Sequence, residues 1–376
     1  MIRSGLGIST SLDAARAGRE VAERALAAAG IDRADGALLI ATGAYGEELQ
    51  ALVAAARSVV GSAPLAGASV EGVISHRCEI EQNPAAMLLA IAGCEIESVL
   101  VRDLAGEEEQ AVDQISAGFA SPLTEADLLM LMPDATLSRR VLHGLAERLA
   151  PARIVGVAAA ELPSSPPLVW ASGQLASGSL SVLRVRGTRP AEISVAQSCR
   201  AASDWLPVTR SQGHWLLGLD GQPALDVYRA AAREPLSGDL VRASRSLLVA
   251  TRVAGGGGGE PFVVRNVVGF DEARGGLALA EATATGAEVA VVQLDADAAR
   301  ADLERVLQAA RAHEGVFGIY LNCRARGASL FGHSGLESAY LERGLAGLPL
   351  LGATGAYQIG PGATLLTYCG VLALVS

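Results

Sequence analysis

Three stretches of the chain can be laid over one another, and this internal repetition constrains the fold more than any other feature of the sequence. Each carries an apolar-apolar-x-Gly pattern. The first runs from GALLIATGA (36 to 44) through AYGEELQALVAAARSVV to PLAGASVEGVI (64 to 74) and closes on PAAMLLAIAG. In the second, DLLMLMPD (127 to 134) leads through LSRRVLHGLAERLA to RIVGVAAAE and then SGQLASGSLSVLRVRG. The third passes from GVFGIYLNCRARG (315 to 327) through GLESAYLERGLAG to PLLGATGAYQIGPG and ATLLTYCGVLALVS. Each reads as strand, helix, strand ending in a glycine loop, and a long strand.

The segments ahead of the three stretches match as well. Apolar residues at three- and four-residue spacing predict amphipathic helices over 12 to 30, 107 to 120 and 296 to 315. Candidate strands precede them at 3 to 9, 96 to 103 and 287 to 294. The predicted unit is therefore β-α-β-α-β-β, used three times. Residues 188 to 286 interrupt the pattern with short strands, turn signals such as Asp220-Gly221 and one helix over 224 to 234. The run Gly255 to Gly259 is followed by a strand, so it reads as a flexible linker. A phosphate-binding glycine loop would instead lead into a helix whose first amides face the anion.

Composition narrows the function classes. The 376 residues carry 40 acidic and 30 basic side chains, a net charge of −10 without long like-charge runs, which disfavours nucleic acid and anionic membrane as partners. All the basic residues are Arg and none is Lys, so lysine-dependent phosphate loops, Schiff bases and pyridoxal-phosphate anchors are excluded. Half the residues are apolar and only 4% are aromatic, so an aliphatic core is expected. The N-terminal MIRSGLGISTSLDAARAGRE lacks the apolar stretch of a signal peptide, and no window supports a membrane-spanning helix. A cytoplasmic protein without membrane insertion is expected. Cys78, Cys94, Cys199, Cys323 and Cys369 are odd in number and widely spaced, which predicts reduced thiols. His143 and His313 lack a second ligand at helical spacing, and no metal or cofactor is predicted.

Several segments together resemble the FIST domain proteins, with an N-terminal and a C-terminal FIST half. They are LDGQPALDVYR (219 to 229), VVRNVVGFDEARGGLAL (263 to 279), LNCRARGASLFG (321 to 332) and PLLGATGAYQIGPG with LTYCGVLAL (349 to 374). PLAGASVEGVIS (64 to 75), IVGVAAAE and SGSLSVLRVRG ahead of VAQSCR carry the N-terminal match. The resemblance implies domains at 1–190 and 191–376. It also implies a stand-alone sensory module that binds a small ligand such as an amino acid, with a separate signalling protein as candidate partner. Tyr357-Gln358-Ile359 departs from the family's Gly-Glu-Ile, which bears on ligand choice.

The sequence is thus read as an α/β protein of internally repeated β-α-β-α-β-β units in two packed halves, with a β-rich linking segment. Its ligand is expected at strand ends, where loops and helix N-termini gather. Asn322, Cys323, Arg324 and Arg326 follow the strand GVFGIY, and an Arg there can clamp a carboxylate with two parallel N–H bonds or pair with a neighbouring acid. Gly67, Ser69 and Glu71 in the first glycine loop, and Gly352 and Thr354 in the third, complete the expected ligand contacts across a pseudo-symmetric cleft. Two alternatives remain: a thiol enzyme using Cys323 with a histidine such as His333 on an acyl or amide substrate, and an interaction scaffold without ligand.

Overall fold

In the computed structural model, β1 (Arg3–Ser9), β2 (Gly36–Thr42), β3 (Leu65–Val70) and β6 (Ala86–Ala92) pair in the order β1-β6-β2-β3, with β2 and β3 parallel and β6 antiparallel to both its neighbours. The inner strands of this first sheet, β2, β3 and β6, are buried along their whole length, while β1 at the edge alternates between buried and partly exposed positions. Helix α1 (Ala14–Ala29) starts where the Asp13 side chain accepts the Arg16 N–H, and it buries Ala14, Ala17, Val21, Ala22 and Ala25. Helix α2 (Leu49–Val60) makes the crossover from β2 to β3 and lays Leu49, Leu52, Val53 and Ala56 on the same core. The strand pair β4 (Gly72–Ile74) and β5 (Glu79–Glu81) leaves this sheet between β3 and β6.

The second sheet repeats the order with β7 (Ile96–Val101), α3 (Glu108–Ala117), β8 (Asp127–Pro133), α4 (Arg139–Arg148), β9 (Arg153–Val157), the pair β10 (Val169–Ala171) and β11 (Gln174–Ala176), and β12 (Leu180–Arg186). Its strands run β7-β12-β8-β9. The third begins with β13 (Glu192–Gln197), after which the chain leaves for about a hundred residues. The excursion forms β14 (Cys199–Ala201), β15 (Leu206–Gln212), β16 (Trp215–Leu219), β17 (Gln222–Pro223), α5 (Ala224–Ala231), α6 (Leu240–Ala243), β18 (Leu247–Arg252), β19 (Phe262–Arg265), β20 (Val267–Asp271), β21 (Gly276–Leu279) and β22 (Glu288–Leu294). The chain then resumes with α7 (Ala296–Ala310), β23 (Phe317–Cys323), α8 (Ala328–Phe331), α9 (Leu336–Leu345), β24 (Leu350–Gly355), the pair β25 (Gln358–Gly360) and β26 (Thr364–Leu366), and β27 (Cys369–Val375). The third sheet runs β13-β27-β23-β24.

The structure describes residues 1–102, 104, 108–134, 137–160, 166–171, 173–233, 236–252 and 262–376. The predicted linker at Gly255 to Gly259 lies outside them. The chain folds as two compact units, one of Met1–Ala196, Leu303–Leu365 and Cys369–Ser376, the other of Gln197–Asp302 and Leu366–Tyr368. The α/β class stands, and the 191–376 stretch is shared by both units because its first and last strands complete the third sheet of the first unit. The second unit is built on a nine-stranded sheet, with Tyr228 bonded through its hydroxyl to the Leu247 carbonyl at 2.8 Å in its core.

One strand assignment is corrected. The expected first strand of the third unit, at 287 to 294, is β22, which pairs with β14, β15 and β18 in the nine-stranded sheet, and β13 takes the expected place. A strand's alternation reports that it is buried, while its partners are set by contacts far away in sequence, which no local pattern records.

The three strand pairs exchange places. β4 joins β24 of the third sheet, β10 joins β3 of the first, and β25 joins β9 of the second. The repeated glycine of PLAG, RIVG and PLLG is what admits the visitor. A Cβ on Gly67 would run into the Trp170 indole and the Leu39 carbonyl, one on Gly352 into Ile74, and one on Gly156 into the Leu131 carbonyl beside Ile359. These glycines stand inside strands, so the expected glycine loops are instead packing sites for an incoming side chain. Among the described residues no helix is long and apolar enough to cross a membrane.

Candidate functional site

β23 is buried along its whole length and ends at Cys323, so the residues after it emerge at the strand end. Tyr320 and Asn322 share one face of this strand. That face meets Glu337 in the first turn of α9, which is fully buried and forms the centre of a polar network in which the Asn322 Oδ1 has no hydrogen-bond partner among the described residues. Its Oε1 accepts from the Tyr320 hydroxyl (2.7 Å) and from Nε and Nη2 of Arg326 (2.9 and 2.6 Å), and its Oε2 accepts from the Asn322 amide (2.6 Å). Arg326 also donates to the Ala196 carbonyl at 3.2 Å. Burial works against the Arg326 charge and the Glu337 carboxylate more than offsets it, so the guanidinium is held charged. Burial, then Glu337, push the Tyr320 hydroxyl well above the usual phenol range. Arg326, expected to clamp a ligand, is here engaged by an internal acid.

The remaining expected residues separate. Arg324 reaches the surface with its side chain 63% exposed and pairs with Glu71 Oε1 at 3.3 Å. Glu71 donates its backbone N–H to the Thr354 carbonyl at 2.9 Å, so the first and third loops are adjacent strands rather than opposite walls of a cleft. Ser69 is fully buried, its hydroxyl accepting the Leu168 N–H at 3.0 Å and its carbonyl the Ala160 N–H at 2.9 Å. Gly67, Gly352 and Thr354 are strand-interior positions. Cys323 is buried with its thiol 4.0 Å from the Ala356 carbonyl, whereas His333 is exposed and has Nδ1 3.3 Å from the Ser334 carbonyl.

Two carboxylates that the sequence reading passed over complete the site. Glu79 and Glu81 are i and i+2 on β5, which sets both on one face of the strand. That spacing, Glu-Ile-Glu, was the available signal. Both meet the loop after β23 at Gly327. With φ at 61° and ψ at −143°, Gly327 adopts a backbone conformation open essentially to glycine alone. A Cβ there would collide with Glu81 Oε1 and stand 3.1 Å from Glu79 Oε1, so bare backbone forms the wall facing the carboxylates.

Glu79 Oε2 accepts the Gly335 N–H at 2.9 Å, ahead of α9, while its Oε1 is buried and has no hydrogen-bond partner among the described residues. Burial raises the Glu79 carboxyl to about 7, with the charges of Glu337 and Glu81 adding to it and the Gly335 amide opposing. Glu81 is raised by burial, then by Glu337 and Glu71. Nearby, burial and then Arg77 lower His76, whose Nε2 accepts from Arg77 Nε at 3.2 Å. No group of three or more His, Cys, Asp or Glu residues is arranged to hold a metal among the described residues.

The sign of the pH effect follows from Glu79. Its folded value of about 7 lies above the ordinary 4.5, so the folded chain binds more protons than the unfolded one between these limits. Stability from this group is present below about 4.5 and is lost as pH rises through about 7. Glu79→Gln is therefore expected to match the parent at about pH 4, below the unfolded value. At pH 8 it should exceed the parent by roughly 1 kcal/mol, after discounting the solvent-screened part of the side chain. Denaturant midpoints at the two pH values check this, and a variant that is weaker at pH 8 contradicts it.

The family model of the FIST N domain matches residues 35–222 and that of the FIST C domain matches 224–361. The chain belongs to the FIST family, whose domains are associated with signal-transduction sensing of small ligands. It is 28% identical to an uncharacterized Mycobacterium tuberculosis protein (strain H37Rv) over 374 residues, 96% of this chain and 95% of that protein. An uncharacterized Mycobacterium bovis protein is 25% identical, covering 96% and 94%. Among solved structures, the cyanuric acid hydrolase of A. caulinodans matches with a TM-score of 0.29 and 11% identity, over 49% of this chain and 71% of that one.

Proposed function

We propose that this chain is a sensor for a small zwitterionic carboxylate, an amino acid being the simplest example. The ligand's ammonium group would lie at Glu79 and Glu81 and its carboxylate at Arg324. The observation that carries the reading is the buried Glu79 Oε1, an acceptor without a donor beside a second carboxylate and a bare glycine backbone. An ammonium supplies three donors to such a place, and its positive charge suits two acids that repel one another. Arg324 supports the other end: its guanidinium stands mostly in solvent and exchanges a rim contact with Glu71 for a ligand carboxylate at little cost. Arg326 and Glu337 serve as positioning residues beneath the niche. The reading takes the protein as cytoplasmic, with a separate signalling protein receiving the ligand-dependent state.

Because Glu79 titrates near neutrality, ammonium binding should expel its proton. Calorimetry of the full chain with a panel of amino acids, in buffers of different ionisation enthalpy, should show proton release at pH 6 that fades by pH 8. Glu79→Gln should abolish the release, and Arg324→Gln should weaken binding about tenfold, the amount expected of one charge-assisted contact. Amino acids that bind no better than their des-amino analogues would overturn the ammonium assignment. Binding untouched by Arg324→Gln would remove the carboxylate assignment.

A further inference from the structure

The second unit carries a cavity of its own, about 290 Å³, lined by residues of β14, by Ala231, Ala232, Arg233 and Leu236, and by residues at the start of β18. Leu236, Leu247 and several alanines supply its apolar lining. Arg200, Arg233, Ser246 and Gln293 supply its polar lining. Arg200 uses Nε on Asp295 at 3.0 Å, which leaves both its Nη groups without a partner among the described residues. The Arg233 guanidinium likewise has no partner among the described residues, and both arginines are exposed.

We infer that this cavity binds a small carboxylate with an apolar body, such as a short-chain fatty acid anion. Two guanidiniums with unused N–H donors offer the forked geometry a carboxylate accepts, Ser246 and Gln293 offer further donors, and the lining leucines favour an alkyl chain. The acid beside it does not provide an ammonium site. Asp295 accepts from Arg200 and from the Ala298 N–H (2.8 Å) at the start of α7, and that backbone bond, with Arg200, lowers its carboxyl below the usual range. The ligand class therefore differs from the zwitterion proposed for the first unit, and the two inferences stand on separate residues.

The test is calorimetric titration of the full chain with hexanoate and with its uncharged counterpart hexanamide at low ionic strength. Hexanoate should bind and hexanamide should not. Arg233→Gln and Arg200→Gln should each weaken hexanoate about tenfold, the loss of one charge-assisted contact. Leu236→Trp, which fills the cavity, should abolish binding. Arg324→Gln should leave hexanoate binding unchanged, which separates this site from the one in the first unit. Absence of heat with hexanoate, equal binding of hexanamide, or loss in Arg324→Gln with retention in Arg233→Gln each overturns the assignment. The comparison of hexanoate with hexanamide needs no variant, so a variant that fails to fold leaves the inference open to refutation.

Discussion

Replacing Arg326 by Ala is expected to destabilise the chain by about 3–5 kcal/mol, because it leaves the buried Glu337 carboxyl without its cation. The side chains of both residues are fully buried, and the pair is joined at 2.6 Å. The Glu337 carboxylate would retain the Tyr320 hydroxyl and the Asn322 amide, which are neutral donors and do not replace a guanidinium. Removing both charges together, as Arg326→Met with Glu337→Leu, should recover much of the loss, since an apolar pair of similar volume needs no desolvation of ions. Urea unfolding of the single and double variants reads the difference as a shift in midpoint. A single variant that unfolds like the parent, and loses affinity for an amino acid instead, would return Arg326 to the role of ligand clamp.

That expected result differs from the one the sequence alone suggests, and the reason is physical. LNCRARG places two arginines two residues apart after a buried strand, and nothing local says which one turns inward. Arg326 is captured because α9, ten residues further on, brings Glu337 under it, while Arg324 finds only the rim carboxylate of Glu71. Elements with strong local signatures were legible. The helix expected over 12 to 30 is α1, Ala14–Ala29, and the strand expected at 3 to 9 is β1. The exchange of β4, β10 and β25 between sheets was not, since pairing of three-residue strands is decided by distant partners. The repeated glycine was visible, and its meaning was misread: a residue without Cβ admits a ligand or a neighbouring side chain equally well, and here Trp170 and Ile74 take the room. The carboxylate pair at Glu79 and Glu81 was legible in principle from its period of two.

The absence of lysine makes one further substitution informative. Arg184 has no exposed side-chain surface and uses all five of its N–H donors. Nε and Nη2 hold the two Asp127 oxygens at 2.8 and 3.2 Å, Nη1 holds Glu97 at 2.5 Å and the Ser121 carbonyl at 3.0 Å, and Nη2 also reaches the Pro122 carbonyl at 3.1 Å. The guanidinium carbon, Cζ, further lies 5.4 Å from the Phe119 ring centre. Asp127 is itself fully buried and accepts from Arg186 and Thr124. A lysine ammonium is a point charge with three donors, so it cannot span two carboxylates and two carbonyls from one place. Arg184→Lys is therefore expected to cost about 3 kcal/mol or more, a charge-conserving change with the effect of a broken buried ion pair. Arg16→Lys, at a 71% exposed partner of Glu20, should leave the unfolding midpoint where it was. Equal midpoints for the two variants would mean that net positive charge suffices at Arg184. A large loss confined to Arg184→Lys would mean that the fork geometry of arginine ties β7, β8 and β12 together at this end of the second sheet.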